Sequence, residues 1–342
     1  MEKKVYFCKK YSSRMHRLLA LLTLLSMTSL TVWGQSRAPV WRMVRMDSLP
    51  ATAWEEGSWR LVWHDEFNDS TLNSALWKPV TGIPRDLSLR HQKAWHTPEN
   101  LEVRNGCLYI CSRREHKEGM VYATSWDPVI LDTVDFDYTT GEVWSRRLFS
   151  YGKYEAKIRL PKGYGLWPAF WLFSPNPLQD EIDIFEVWNP VPGVRTKLLS
   201  KSVDRWKHRR LSTMLHHALH YDYDSLHPGV EQQTHNYRGD DYYSHPHIYT
   251  LIYTPYHIQW LVDGEELWNY PHYRDLMGNS MGAEQLLKGR RYWENLLYPC
   301  HPLHLILNVA IQTQEDAPDE STPFPTEMEV DWVRFFELRI EN

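Results

Sequence analysis

Short alternating runs broken by turn dipeptides confine this chain to a β fold. The runs Trp59 to Trp63, Leu101 to Arg104, Gly106 to Ser112, Gly141 to Trp144, Gly152 to Leu160, His247 to Thr254 and His257 to Val262 mix β-branched, aromatic and polar residues over strand length. Asn105-Gly106 and Asp263-Gly264 fall between such runs, and these dipeptides accept the positive φ that a two-residue hairpin turn demands. Helical periodicity is scarce, so the even spacing predicts an all-β, two-sheet β-sandwich. Only the span from Arg274 to Asn295, with Ala283-Glu284-Gln285-Leu286-Leu287-Lys288, leaves room for one helix. The 342 residues suit one large domain with a short leader, and no internal repeat, low-complexity tract or domain-length linker interrupts them.

Residues 1–17 carry Lys3, Lys4, Lys9, Lys10, Arg14 and Arg17, and Leu18 to Val32 are mostly apolar. A basic segment, an apolar core and then Trp33-Gly34-Gln35 read as a secretory signal cut near Gly34, with Met15 an alternative start. The apolar core is shorter than the roughly 20 residues a spanning helix needs, and Cys8 precedes it, which argues against a lipid-anchored cysteine. Residues 35–57 read as an irregular lead-in and 58–342 as the one large domain, in a secreted or periplasmic protein.

Glu181-Ile182-Asp183-Ile184-Phe185-Glu186 sets three carboxylates into a run that otherwise reads as a buried strand. Side chains alternate along a strand, so Glu181 and Asp183 share a face while Glu186 falls out of phase. A bulge near Phe185 would return Glu186 to the acidic face. Like charges so close repel, and a purely structural strand has little reason to carry them. A glycosidase does need such a pair: one carboxylate attacks as nucleophile, and the other protonates the leaving oxygen and then activates water. Asp183 between them can hold Glu181, and the crowded negative charge favours the protonated form of Glu186. The same pattern also suits a calcium site, because acidic oxygens at alternate positions fit a hard cation, or a solvated strand face.

The run resembles the bulged active-site signature of glycoside hydrolase family 16, Glu-x-Asp-x-x-Glu. Trp63-His64-Asp65-Glu66-Phe67-Asn68, Tyr138-Thr139-Thr140-Gly141, Tyr151 to Gly163 and Gly165-Leu166-Trp167-Pro168-Ala169-Phe170-Trp171 resemble further motifs of that family. Trp260 to Gly264, Leu305 to Asn308 and Val330 to Arg334 resemble its later strands in the right order, so the likeness covers about residues 58–336. The resemblance implies a jelly roll with a concave, sugar-binding sheet and a retaining endo-glycosidase. Glu181 would be nucleophile, Glu186 acid/base and Asp183 the residue that orients Glu181. It further implies substrate contacts from Trp95, Trp167, Trp171, Trp188 and His220, the last in Ala218-Leu219-His220-Tyr221 with His217 as rival. The Trp167 and Trp171 rings would line the glycone side next to Glu181. A structural calcium, dispensable for chemistry, would draw on Glu66 and Asp331; no cofactor is needed. Three departures bear on substrate identity: Glu142 stands where many glucanases of the family have Arg, Asp180 replaces the Gly before the first acid, and Gln312-Thr313-Gln314 replaces a Gly-Gly.

The formal net charge of −5 gives no hint of a nucleic-acid partner. The 17 Trp and 14% aromatic content matter more, because an indole face suits the C–H groups of a sugar ring while most such residues fill the core. Cys107, Cys111 and Cys300 allow at most one disulfide, which would need Cys300, and buried thiols are the simpler state. Residues 201–246, with His216, His217, His220, His227 and His235, match no closed zinc spacing and read as a loop lining the cleft.

These features converge on a monomer acting on a β-linked polysaccharide, without stable membrane insertion. Thr322 to Met328 resembles laminarinase-like members and favours a β-1,3-glucan, mixed-linkage included. A galactan such as agarose, porphyran or carrageenan is the alternative, for which Arg146-Arg147, Arg209-Arg210 and Arg290-Arg291 would have to face the cleft and pair with sulfate. A non-catalytic carbohydrate-binding protein is the reading from another class, and transglycosylation would use the same acids as hydrolysis.

Overall fold

Both turn dipeptides form: Asn105 and Gly106 take φ of 53° and 73°, and Asp263 and Gly264 take 50° and 86°. Those left-handed values are what a two-residue hairpin requires and what Asn, Asp and Gly tolerate best. The computed structural model describes residues 41–45, 59–82, 94–124, 127–174, 180–187, 214–222, 230–238, 241–282, 286, 290–313 and 317–338. Strands are numbered in chain order.

An antiparallel sheet of eight strands joins β18 (Glu265–Pro271), β17 (His257–Val262), β16 (His247–Tyr253), β11 (Gly152–Arg159), β22 (Thr326–Leu338), β6 (Cys107–Ser112) and β5 (Leu101–Arg104), with β2 (Trp59–Asp65) also pairing with β22. A second sheet of seven runs β15 (Val230–Arg238), β14 (Met214–Asp222), β13 (Glu181–Glu186), β12 (Leu166–Phe173), β21 (Leu303–Ile311), β10 (Glu142–Phe149) and β3 (Trp77–Pro79). Smaller pieces flank them: β1 (Trp41–Arg45) with β20 (Arg291–Asn295) and β19 (Tyr273–Arg274), β4 (Ala94–His96) parallel to β9 (Tyr138–Thr140), and the ribbon of β7 (Lys117–Thr124) and β8 (Asp127–Phe136). This is the two-sheet sandwich that the strand spacing predicts, in the jelly-roll form that the family resemblance implies.

The core lies between the two large sheets. Ile182, Phe185, Phe170 and Leu172 from the seven-stranded sheet meet Tyr154, Tyr249, Leu251 and Trp260 from the other, all essentially without solvent exposure. The Phe185 and Tyr249 rings sit 4.4 Å apart across the gap. Each large side chain so buried contributes about 1.5–3 kcal/mol relative to leaving it in water.

Several expectations need correction. Residues 214–222 and 230–238, read as loop, are β14 and β15; β15 forms the edge of the seven-stranded sheet and β14 lies between it and β13. Within the lead-in, Trp41–Arg45 is a strand paired with β20. The described residues between Arg274 and Asn295 contain no helix: the segment holds β20 and a turn in which Asp275 accepts from the amides of Met277 and Asn279. Ala283–Gln285 and Leu287–Gly289 lie outside the described residues, as do the leader and the Arg209-Arg210 pair. Cys107, Cys111 and Cys300 are free thiols, and only Cys111 is fully buried. No helix among the described residues is long and apolar enough to cross a membrane.

Candidate active site

The acidic strand is bulged where the alternation demands it. Asp183 pairs with Trp171 on one side and Ala218 on the other, whereas Glu186 pairs with Ala169 and His216. Three steps along β13 therefore match two on each neighbour, which returns Glu186 to the face shared by Glu181 and Asp183. Ile182, Ile184 and Phe185 point into the core, each at most 2% exposed.

A bulge leaves backbone carbonyls without ladder partners, and an unpaired buried carbonyl costs free energy. Two core side chains supply the donors. Trp260 Nε1 on β17 donates to the Asp183 carbonyl at 2.8 Å, and His217 Nδ1 donates to the Ile184 carbonyl at 2.7 Å. One donor comes from the opposite sheet and one from the neighbouring strand β14, and together they hold the backbone under the acids. This assigns His217, 1% exposed and facing inward, to structure. The strand register places position 220 opposite Glu181.

On the outer face the acids differ in exposure. Asp183 is 2% exposed, while Glu181 and Glu186 are half-buried and reachable. Trp167 Nε1 donates to Glu186 Oε1 at 2.9 Å, so this indole serves the second acid, where the sequence had suggested Glu181. Trp171 stands beside Asp183 and donates to Asn308 Oδ1 at 2.8 Å. Ala169, Trp171, Phe173 and Ile306 pack together with the half-buried Trp144 on this face.

Asp180 braces the start of β13. Its Oδ2 accepts from the backbone amides of Cys300 and His301, both at 3.1 Å, and from His301 Nδ1 at 2.6 Å. The Asp180 carbonyl accepts from the Ser174 amide at 2.8 Å. An Asp in place of the family's Gly therefore ties the residue before Glu181 to the loop that enters β21. Asp180, Cys300 and His301 bring potential ligand atoms within 4.8 Å of one another, but the donors on Asp180 Oδ2 give the carboxylate a bracing role already.

Other sequence candidates lie elsewhere. Trp95 on β4 packs: its ring is 5.5 Å from that of Phe136, and a Cβ added to Gly119 would come within 2.1 Å of it, with Gly82 close on the ring as well. Trp188 lies outside the described residues. Glu66 grips Arg334 at 2.8 and 2.9 Å, which holds its carboxyl below the usual range, and Asp331 accepts from Lys157 at 2.6 Å. Arg146 donates to the backbone carbonyls of Ser74 and Trp77, and Arg147 pairs with Glu337, so neither is directed at the acids. Sequence reasoning passed over Asn308, Trp144 and Trp260. The signal for Asn308 was a lone amide inside the apolar run Leu303–Ile311; Trp260 had none, since its partner is 77 residues away.

Comparison with known proteins meets this geometry at the same place. The profile of "Glycosyl hydrolases family 16" matches residues 91–286, more than half of the chain and inclusive of the three acids. The chain belongs to that family. The family 16 fold recurs in the catalytic domain of an endo-1,3-beta-glucanase (laminarinase) from Thermotoga petrophila, with a TM-score of 0.58 and 25% identity over 83% of this chain and 99% of that one. A "Beta-glucanase" of Rhodothermus marinus is 25% identical over 81% of this chain and 85% of its own length. A "Keratan-sulfate endo-1,4-beta-galactosidase" of Sphingobacterium multivorum is 24% identical over 85% of this chain and 58% of its own. The chain spans only 37% of the "Glucan endo-1,3-beta-glucosidase A1" of Niallia circulans, at 23% identity.

Proposed function

We propose that this family 16 member is a secreted, retaining endo-hydrolase of a β-linked polysaccharide, with β-1,3-glucan, mixed-linkage included, as its substrate. The observation that carries the reading is the bulge, which gathers Glu181, Asp183 and Glu186 on one face of β13 beside Trp167 and Trp171. Glu181 attacks the anomeric carbon as Glu186 gives its proton to the departing glycosidic oxygen, forming a glycosyl ester. Glu186, now a carboxylate, takes a proton from water, and the resulting hydroxide equivalent displaces Glu181 with a second inversion. Asp183, nearly buried between them, orients Glu181. Trp167 holds Glu186 in place through its indole N–H. The chemistry needs no cofactor. A structural calcium on Glu66 and Asp331 would have to draw them away from Arg334 and Lys157. Secretion rests on the basic-then-apolar leader.

The glucanase names of the Thermotoga and Rhodothermus relatives support the glucan reading. A galactan is the second reading, favoured by the keratan-sulfate-cleaving relative and by Glu142 in place of Arg. Product release from laminarin, mixed-linkage glucan, agarose, porphyran, carrageenan and keratan sulfate, with Glu181→Gln as blank, separates them. Oligosaccharides from laminarin that vanish in Glu181→Gln are the expected result. Turnover of a galactan alone overturns the substrate, and folded protein that cleaves nothing but retains binding would make it a carbohydrate-binding module.

A further inference from the structure

Trp144 is fixed on the outer face of the seven-stranded sheet, well to one side of the acids. One rung of that sheet runs Asp183, Trp171, Ile306, Trp144 across β13, β12, β21 and β10. Strands lie about 4.8 Å apart, so Trp144 stands roughly 14 Å from β13, about three sugar rings away. The acids are strung along β13 and must flank the bond that is cut. A glycan that presents its bond to them crosses the strand, and along this rung it next meets Trp171 and then Trp144.

The indole of Trp144 is fixed by its neighbours and remains half-exposed. Its Nε1 donates to Glu142 Oε1, and its ring meets Trp171 at 6.4 Å, Phe173 at 6.1 Å and His304 at 5.4 Å, the first two edge to face. Glu142 is 1% exposed, and its other oxygen lies 3.5 Å from His96 Nδ1. Burial pushes His96 down to about 3, so that contact is not an ion pair at neutral pH. This cluster is separate from the core between the sheets. A residue needed only for packing has no use for a buried carboxylate that sets the angle of its ring on an outward face.

We infer that Trp144 is a distal sugar platform, a binding subsite that stacks the apolar face of a pyranose about three units from the cleaved bond, with Glu142 as the positioning residue that sets its plane. The inference rests on the family 16 reading of the acids and deepens it. Glu142 thereby serves an aromatic face and offers the sugar no charge of its own. Recognition at this point is by C–H contacts to a ring. Stacking of this kind tolerates different sugars and makes activity depend on chain length.

The test is affinity electrophoresis of Glu181→Gln protein in gels containing laminarin, mixed-linkage glucan, agarose, keratan sulfate or carrageenan, with thermal melting as the check on folding. At least one polymer should retard it, and adding Trp144→Ala should weaken that retardation by about tenfold, the equivalent of about 1.4 kcal/mol. Trp144→Leu, which fills the volume without a π face, should weaken it equally. Glu142→Gln retains an acceptor for the indole and should bind nearly as Glu142 does, whereas Glu142→Ala should follow Trp144→Ala. No retardation in any gel, or equal retardation with folded Trp144→Leu, overturns the platform. Retardation that depends on Trp144 in a wild-type protein that cleaves none of the polymers leaves the platform standing and overturns the catalytic reading instead.

Discussion

On the outer face of the eight-stranded sheet Lys157 meets Asp331 at 2.6 Å and Arg159 meets Glu329 at 2.5 Å, whereas on the outer face of the seven-stranded sheet Glu181, Asp183 and Glu186 follow one another along a single strand with one sign. The first sheet places opposite charges on neighbouring strands. That arrangement suits solubility and contributes little to stability, because partly exposed pairs are screened. The second concentrates like charge and meets Glu186 with the N–H of an indole, and its bulged stretch is held from within the core by Trp260 and His217. Two sheets with the same fold logic thus differ in what their outer faces do: one is made inert, the other is kept reactive.

The comparison breaks first, and hardest, at Glu181. Glu181→Gln should lower kcat by on the order of 10³ or more, since no other group can form the ester, while melting temperature stays within a few degrees. Initial rates on the preferred polymer check this, and residual activity above about a tenth of wild type would remove Glu181 from the nucleophile's role.

Next in size is the support behind the bulge. Trp260→Phe keeps an aromatic side chain but removes the pyrrole part of the indole with its N–H, leaving the Asp183 carbonyl without that donor. Denaturant titration should show a loss of about 1–3 kcal/mol, with kcat falling more than KM changes. If kcat is unaffected, the bulge does not need this bond to hold the acids.

A third test uses acid. The folded value of His96, about 3, lies below its ordinary 6.5, so on acidification the unfolded chain takes up a proton that the folded chain resists. Stability due to this group is whole above about pH 6.5 and is lost progressively as pH falls toward about 3. His96→Gln should therefore flatten the fall in melting temperature between about pH 6.5 and pH 4, and an unchanged slope would place the acid sensitivity elsewhere.

The smallest effect belongs to the inert sheet. Arg159→Ala with Glu329→Ala should change stability by less than about 1 kcal/mol and leave kcat unaltered. A large loss of activity there would dissolve the distinction between the two faces.

How much of this was legible in the sequence depends on the range of the interaction. The hairpins at Asn105-Gly106 and Asp263-Gly264, and the need for a bulge between Asp183 and Glu186, follow from backbone geometry over a few residues and could be read directly. The acids' neighbours could not: Asn308 reaches Trp171 across 137 positions and Trp260 reaches Asp183 across 77. Strand pairing alone brings such residues together. Trp95 is half-buried, and its neighbours Gly119 and Phe136 come from β7 and β8, which sequence spacing does not bring to it. The inward face of β14 alternates Leu215, His217 and Leu219, so a histidine interrupts the apolar pattern that would mark the strand, and the sequence of β15 is almost wholly polar.

The bulge has one more consequence, for insertions and deletions. Along most of a strand, removing one residue turns everything beyond it onto the wrong face. Between Asp183 and Glu186 the extra residue makes the opposite true: deleting Ile184 would leave Glu-x-Asp-x-Glu, with all three acids still in phase. His217 would then lose the carbonyl it caps. Length at this point is a dial that sets how far apart the two reactive carboxylates stand without changing which side of the sheet they occupy.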